Sequence, residues 1–140
     1  MTRPVILDTN VVVSALLTRE AGAPTARILD AVLSGDLHVV LSLDLLAEYR
    51  EVLLRPAIRR RHGLSDEEVD DLLAEITAMA AIRETPPVSA AERGRDAHLH
   101  LLCRAAGEAI LVTGDEALRA SGPGGIETRS PRELVGRRRP

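Results

Sequence analysis

The chain has no Phe, no Trp and a single Tyr. Its core must therefore be filled by Leu, Val, Ile and Ala. Base stacking on exposed aromatic rings, a common route to single-strand nucleic-acid binding, is nearly closed to it. Lysine is absent as well, so all 18 basic residues are Arg. That bias fits a GC-rich genome, although guanidinium also suits phosphate geometry. One cysteine, Cys103, excludes an internal disulfide, and its apolar helical setting marks it as a core residue. No apolar run reaches the ~18 residues needed to span a membrane, and no charged region followed by a long apolar stretch opens the chain. A cytoplasmic protein without a membrane partner is expected. The net charge of -3 argues against a general nucleic-acid coat protein, which needs a basic surface. It leaves room for a local basic groove beside an acidic pocket.

What is present reads as one α/β domain. At 140 residues the chain can bury a single core without disulfide or metal staples; the expected domain is 1–136, with a frayed basic tail at 137–140. Val5 to Leu7 predicts a short buried strand, followed by a helix from Asn10 to Leu17. Apolar spacing from Pro24 to Leu33 predicts a second helix, stopped at Gly35. "HVVLS" is a strand ending at Ser42, and "LDLLAEYREVLLRP" an amphipathic helix closed by Pro56. "LSDEEVDDLLAEITAMAAI" starts with Ser65 as an N-cap and continues as a long helix. After the break at "TPPVS", "GRDAHLHLLCRAAG" is a further helix, and "AILVTGDEAL" repeats the opening grammar of strand, acidic turn and helix. A last short strand near Ile126 and a terminal helical turn complete it. Strands alternating with helices predict a parallel sheet covered on both faces.

Four acids stand out by their setting. Asp8 and Asp115 follow apolar strands, in "VILDTN" and "ILVTGD"; Glu48 interrupts an apolar helical stretch, and Asp96 begins one. Each has a plain reading: Asp8, Asp96 and Asp115 as helix caps, Glu48 as part of a solvated helix face. Taken together they support another. Where winding reverses in an open α/β sheet, acids at neighbouring strand ends face one crevice. Like charges so placed raise each other's pKa unless a cation bridges them. Hard divalent cations take oxygen ligands, and they activate water for in-line displacement at phosphodiesters. The chemistry suggested is metal-assisted cleavage of a nucleic-acid backbone.

In order along the chain, "VILDTNVVVSALL", "LSLDLLAEYREVLLRP", "RDAHLHLLCRAAGEAILVTGDEAL" and "GIETRSPREL" resemble the successive blocks of a PIN domain. The likeness is closest to the bacterial group of toxin components in toxin-antitoxin pairs, related to VapC ribonucleases. The resemblance implies a three-layer α/β/α fold around a five-stranded parallel sheet. It also implies Mg²⁺ or Mn²⁺ held by Asp8, Glu48, Asp96 and Asp115, with Asn10 and Thr113 at the supporting polar positions. Single-stranded RNA would be the substrate, a cognate antitoxin the partner, and a homodimer the assembly. One departure stands in the pattern: Ala97 follows Asp96, where many close relatives carry Asn. It bears on a supporting contact rather than on the acid.

Further residues are candidates for RNA contact. His98 and His100, two apart, do not share a helix face and make a poor joint metal site; His98, near Asp96, is the better RNA candidate. Arg55, Arg59, Arg60 and Arg61 form a basic run after the Glu48 helix that could hold phosphates beside the pocket. A phosphatase of the Asp-x-Asp type is disfavoured because Asn10 replaces the second acid. "GPGG" does not lie between a strand and a helix, and no G-x-x-x-x-G-K-[ST] loop occurs. The remaining rival is a PIN-like RNA-binding or regulatory module without catalysis, and retention of all four acids argues against it.

Overall fold

Three-residue runs of Val, Ile and Leu make the central strands, and their burial explains their composition. The structure, a computed structural model, describes residues 3–88 and 96–136. The expected tail at 137–140, and Gly94 and Arg95 at the head of the expected Asp96 helix, lie outside the described residues. The elements are β1 (Val5–Leu7), α1 (Thr9–Leu17), α2 (Pro24–Leu33), β2 (Val39–Leu41), α3 (Leu43–Leu53), α4 (Pro56–His62) and α5 (Asp66–Ala78). They continue with β3 (Ala80–Ile82), α6 (Ala97–Ala105), β4 (Ile110–Val112), α7 (Glu116–Ser121), β5 (Glu127–Arg129) and α8 (Pro131–Gly136).

All five strands are parallel, in the order β3-β2-β1-β4-β5. Every residue of β1, β2 and β4 is buried, as expected of strands with helices on both sheet faces. This is the three-layer α/β/α architecture that the sequence suggests. The chain moves outward from β1 through β2 to β3, then returns to lay β4 on the other side of β1. The reversal puts a crevice at the carboxyl ends of β1 and β4.

Local chemistry sets the helix boundaries. Ser42 accepts from the Leu45 amide to start α3. Ser65 and Glu68 form a reciprocal capping box at α5. Gly63, at φ 73°, ends α4 in the left-handed region. The core gathers fully buried Ile6, Leu41, Leu45, Leu53, Ile76, Leu102 and Leu111 around Tyr49. The Tyr49 hydroxyl donates to the carbonyl of Leu7, the last residue of β1. Among the described residues no helix is long and apolar enough to cross a membrane.

Two expectations need correction. The helix predicted through Ile82 stops at Ala78, and Ala80–Ile82 instead pairs with β2 in the register Val39↔Ala80 to Leu41↔Ile82. Ala and Met favour helix intrinsically, but the open edge of β2 supplies backbone partners that a longer helix would forgo. Pro56 does not close α3, which ends at Leu53. It occupies the first turn of α4, with Arg55 extended before it, as the residue preceding a proline prefers.

A short 3-10 turn at Pro123–Gly125 packs on α6. Gly124 has φ 63° there, and a Cβ on it would lie 2.8 Å from the Arg104 amide nitrogen and 2.9 Å from Cys103 Cβ.

Candidate functional site

Leu7 and Val112 are register partners on neighbouring strands, so the residues that follow them emerge side by side. The Asp8 amide donates to the Val112 carbonyl at 3.0 Å. Thr113, fully buried, donates its hydroxyl to Asp8 Oδ2 at 2.7 Å and accepts from the Asp115 amide at 3.1 Å. One hydroxyl thus ties the two acidic turns together. Asn10, the other supporting position, makes a long 3.5 Å contact through Oδ1 with the Gly114 amide.

The cap readings hold for two of the acids. Asp8 Oδ1 accepts from the Thr9 amide at 2.8 Å, and Asp115 Oδ1 accepts from the Leu118 amide at 3.1 Å. An ionised carboxylate offers about four lone-pair sites, so capping leaves both free to face the crevice. Asp96 stands at the start of α6 and makes no side-chain cap bond. The Glu48 side chain is 30% exposed, and its oxygens meet the Thr9 hydroxyl and, at 3.1 Å, His98 Nε2. It is therefore not a solvated surface acid.

A cleft of about 690 Å³ brings these groups together. Asp8, Asn10, Glu48, Asp96 and Asp115 line it, and Val13, Leu17 and Val52 add apolar surface to the same lining. The Asp8 carboxyl is held above its ordinary pKa, chiefly by burial. Hydrogen bonds from Thr113 and the Thr9 amide oppose the rise, and the charges of Asp96 and Glu48 add to it. Cys103 lies behind the site, its thiol pushed up to about 12 by burial and then by the Asp8 charge. It stays protonated in the core, as the sequence suggests, and offers no nucleophile.

The basic run divides. Arg55 and Arg61 line the cleft, whereas Arg59 pairs with Asp66 at 3.1 Å and shares a separate hollow with Arg60 beside Gly63 and Leu64. Arg55 precedes α4, and successive residues of α4 point in different directions around its axis, so the four guanidinium groups are divided between two hollows as they stand. His98, two residues along α6 from Asp96, turns toward α3 and Glu48.

Two cleft residues escape sequence reading. Thr9 is 7% exposed and starts a helix whose buried side continues through Val12 and Val13, so its hydroxyl needs an internal acceptor; that spacing is the available signal. Glu51 lines the cleft one helical turn beyond Glu48, and its i+3 spacing points to it.

The donor set is all oxygen, which suits Mg²⁺ or Mn²⁺ and not a thiophilic ion. As the side chains stand, no three His, Cys, Asp or Glu residues among those described are close enough together to hold one ion. The fit rests on a shared cleft and on the charge crowding felt at Asp8, which a cation would relieve. No curated protein matches the chain. A family model, the PIN domain, matches residues 4–117, from the residue before β1 into α7, and so encloses all four acids. That match covers well over half of the chain and agrees with the sheet order and the acidic crevice: the chain belongs to the PIN domain family.

Proposed function

We propose that this protein is a metal-dependent endoribonuclease that cleaves single-stranded RNA. PIN domains are in general metal-dependent nucleases. The observation that carries the finer reading is the shared cleft, whose lining includes Asp8 and Asp115 at adjacent strand ends together with Glu48 and Asp96. A Mg²⁺ or Mn²⁺ ion held by these four would supply an activated water and neutralise charge at the phosphodiester. Thr113 and the Thr9 amide hold the Asp8 carboxylate in its orientation. Arg55 and Arg61 bind backbone phosphates along the cleft, and the apolar surface of Val13, Leu17 and Val52 receives base or sugar. With no exposed aromatic ring available, affinity rests on phosphate contacts and should weaken steeply with salt.

The likeness of the sequence blocks to bacterial toxins supports a cellular role as the toxin of a type II toxin-antitoxin pair. In that role the protein is a cytoplasmic homodimer restrained by a cognate antitoxin. A small open reading frame for a DNA-binding antitoxin beside the gene would support it.

The purified chain should cut single-stranded RNA in Mn²⁺ or Mg²⁺ and stop in EDTA. Its melting temperature should rise with either ion, since a ligand at ~100 times its dissociation constant stabilises by about 2.7 kcal/mol. In a chain of this size that is about 2 to 4 °C for each kcal/mol. RNA binding without cleavage, together with a melting curve indifferent to millimolar Mn²⁺, would favour the inactive binding module instead.

A further inference from the structure

Glu48 differs from the other three acids in that both of its oxygens meet side chains on other helices. Thr9, the first residue of α1, donates its hydroxyl to Oε2. His98, in the first turn of α6, stands with Nε2 3.1 Å from Oε1. Neither partner is a surface group: Thr9 is 7% exposed, and the His98 side chain 17%. An ionised carboxylate only accepts, so Nε2 of His98 carries the proton and donates. Its other nitrogen, Nδ1, is buried with no hydrogen-bond partner among the described residues. The contact with Glu48 is thus the ring's one polar anchor there.

We infer that Thr9 and His98 are positioning residues, which together hold the Glu48 carboxylate in the cleft as a preset metal ligand. The inference rests on Glu48 being such a ligand. One donor on each oxygen leaves a lone pair on each for a cation. A Glu at this point on α3 would otherwise lose rotamer freedom when it bound the ion, and the two donors remove that freedom beforehand. They also join the starts of α1 and α6 to the middle of α3, so the helices that carry Asp8, Asp96 and Glu48 are locked together at one carboxylate. Outer partners that orient metal ligands typically contribute about 10- to 100-fold in metal affinity.

The test is Mn²⁺ titration by calorimetry on the metal-free full chain, with melting curves in EDTA to establish folding. Thr9→Val removes a hydroxyl at constant shape, and His98→Leu removes the donor on the other oxygen. Each should weaken Mn²⁺ binding about 10- to 100-fold. Thr9→Ser and His98→Gln, which keep a donor in place, should recover most of the loss. Glu48→Gln should weaken binding at least as much as either loss variant. If Thr9→Val and His98→Leu bind Mn²⁺ as the parent does, or more tightly, while Glu48→Gln does not, the positioning role is overturned and Glu48 keeps its own. Parental affinity in Glu48→Gln, or a parent that binds no Mn²⁺, overturns the ligand reading and the positioning role with it.

Discussion

Asp8→Asn is expected to fold, to remain as stable as the parent without metal, and to lose RNA cleavage by more than about 100-fold. The loss should exceed what removal of an outer partner costs, because the amide keeps the shape but removes charge that holds the cation and acidifies its water. Were Asp8 only a cap, the change would be nearly silent, since Asn caps about as well as Asp. The Thr9 amide still finds an oxygen. The Thr113 hydroxyl must turn, because it now faces an amide while still accepting from Asp115, at a cost of about 1 kcal/mol.

Against that cost stands the removal of a half-buried, crowded charge. The folded chain holds the Asp8 proton more tightly than the unfolded chain does. Its contribution to stability is therefore full below the ordinary Asp range and is lost as pH rises through and above that range. In EDTA, urea denaturation should show the variant gaining on the parent between acid and neutral pH. Parental cleavage by purified Asp8→Asn in Mn²⁺ would return "LDTN" to an ordinary strand-to-helix cap.

Gly124→Ala is expected to destabilise the fold by about 2 to 5 kcal/mol. Two effects add: an alanine forced into the left-handed region, at about 1 to 2 kcal/mol, and overpacking, at about 1 to 3 kcal/mol. The new methyl would meet the backbone of Arg104 and Cys103, which cannot move aside as a flexible side chain can. Gly125 is the internal control. It too has positive φ, 73°, yet a Cβ there meets nothing within 4 Å, so Gly125→Ala should carry the conformational cost alone. Equal melting temperatures for the two variants would mean that the turn does not seat on α6 as described.

How far the sequence revealed this arrangement depends on the range of the interactions involved. Asp8 and Asp115 are legible because an acid directly after, or two residues beyond, a three-residue apolar strand breaks a local pattern, and Glu48 because it interrupts an apolar helical run. The bonds that organise them are not legible. The Thr9 hydroxyl reaches Glu48 across 39 positions and Thr113 reaches Asp8 across 105, so both depend on how helices and strands come together in space. The edge strand β3 is hidden for a related reason. "AMAAI" carries helix-forming residues and no breaker, and only pairing with β2 makes it extended. The division of the arginines is not legible either: Arg60 stands about 100° of helical rotation from both Arg59 and Arg61, so the period of α4 alone assigns it to neither hollow.

Tyr49 gives the molecule an optical reporter in a useful place. With no Trp and no other Tyr, near-ultraviolet absorbance and emission arise almost wholly from one ring, fastened to the last carbonyl of β1 and one peptide from Asp8. Burial and the charges of Asp8 and Glu48 hold its phenol well above the ordinary tyrosine range. The folded chain therefore keeps that proton more tightly than the unfolded chain, and stability falls as pH rises through the range. Phenolate absorbance in an alkaline titration should appear together with loss of helical circular dichroism. A phenolate signal while the helices remain intact would show that the ring had left the strand end. The same chromophore offers a label-free view of events beside the acidic cleft when cations are added.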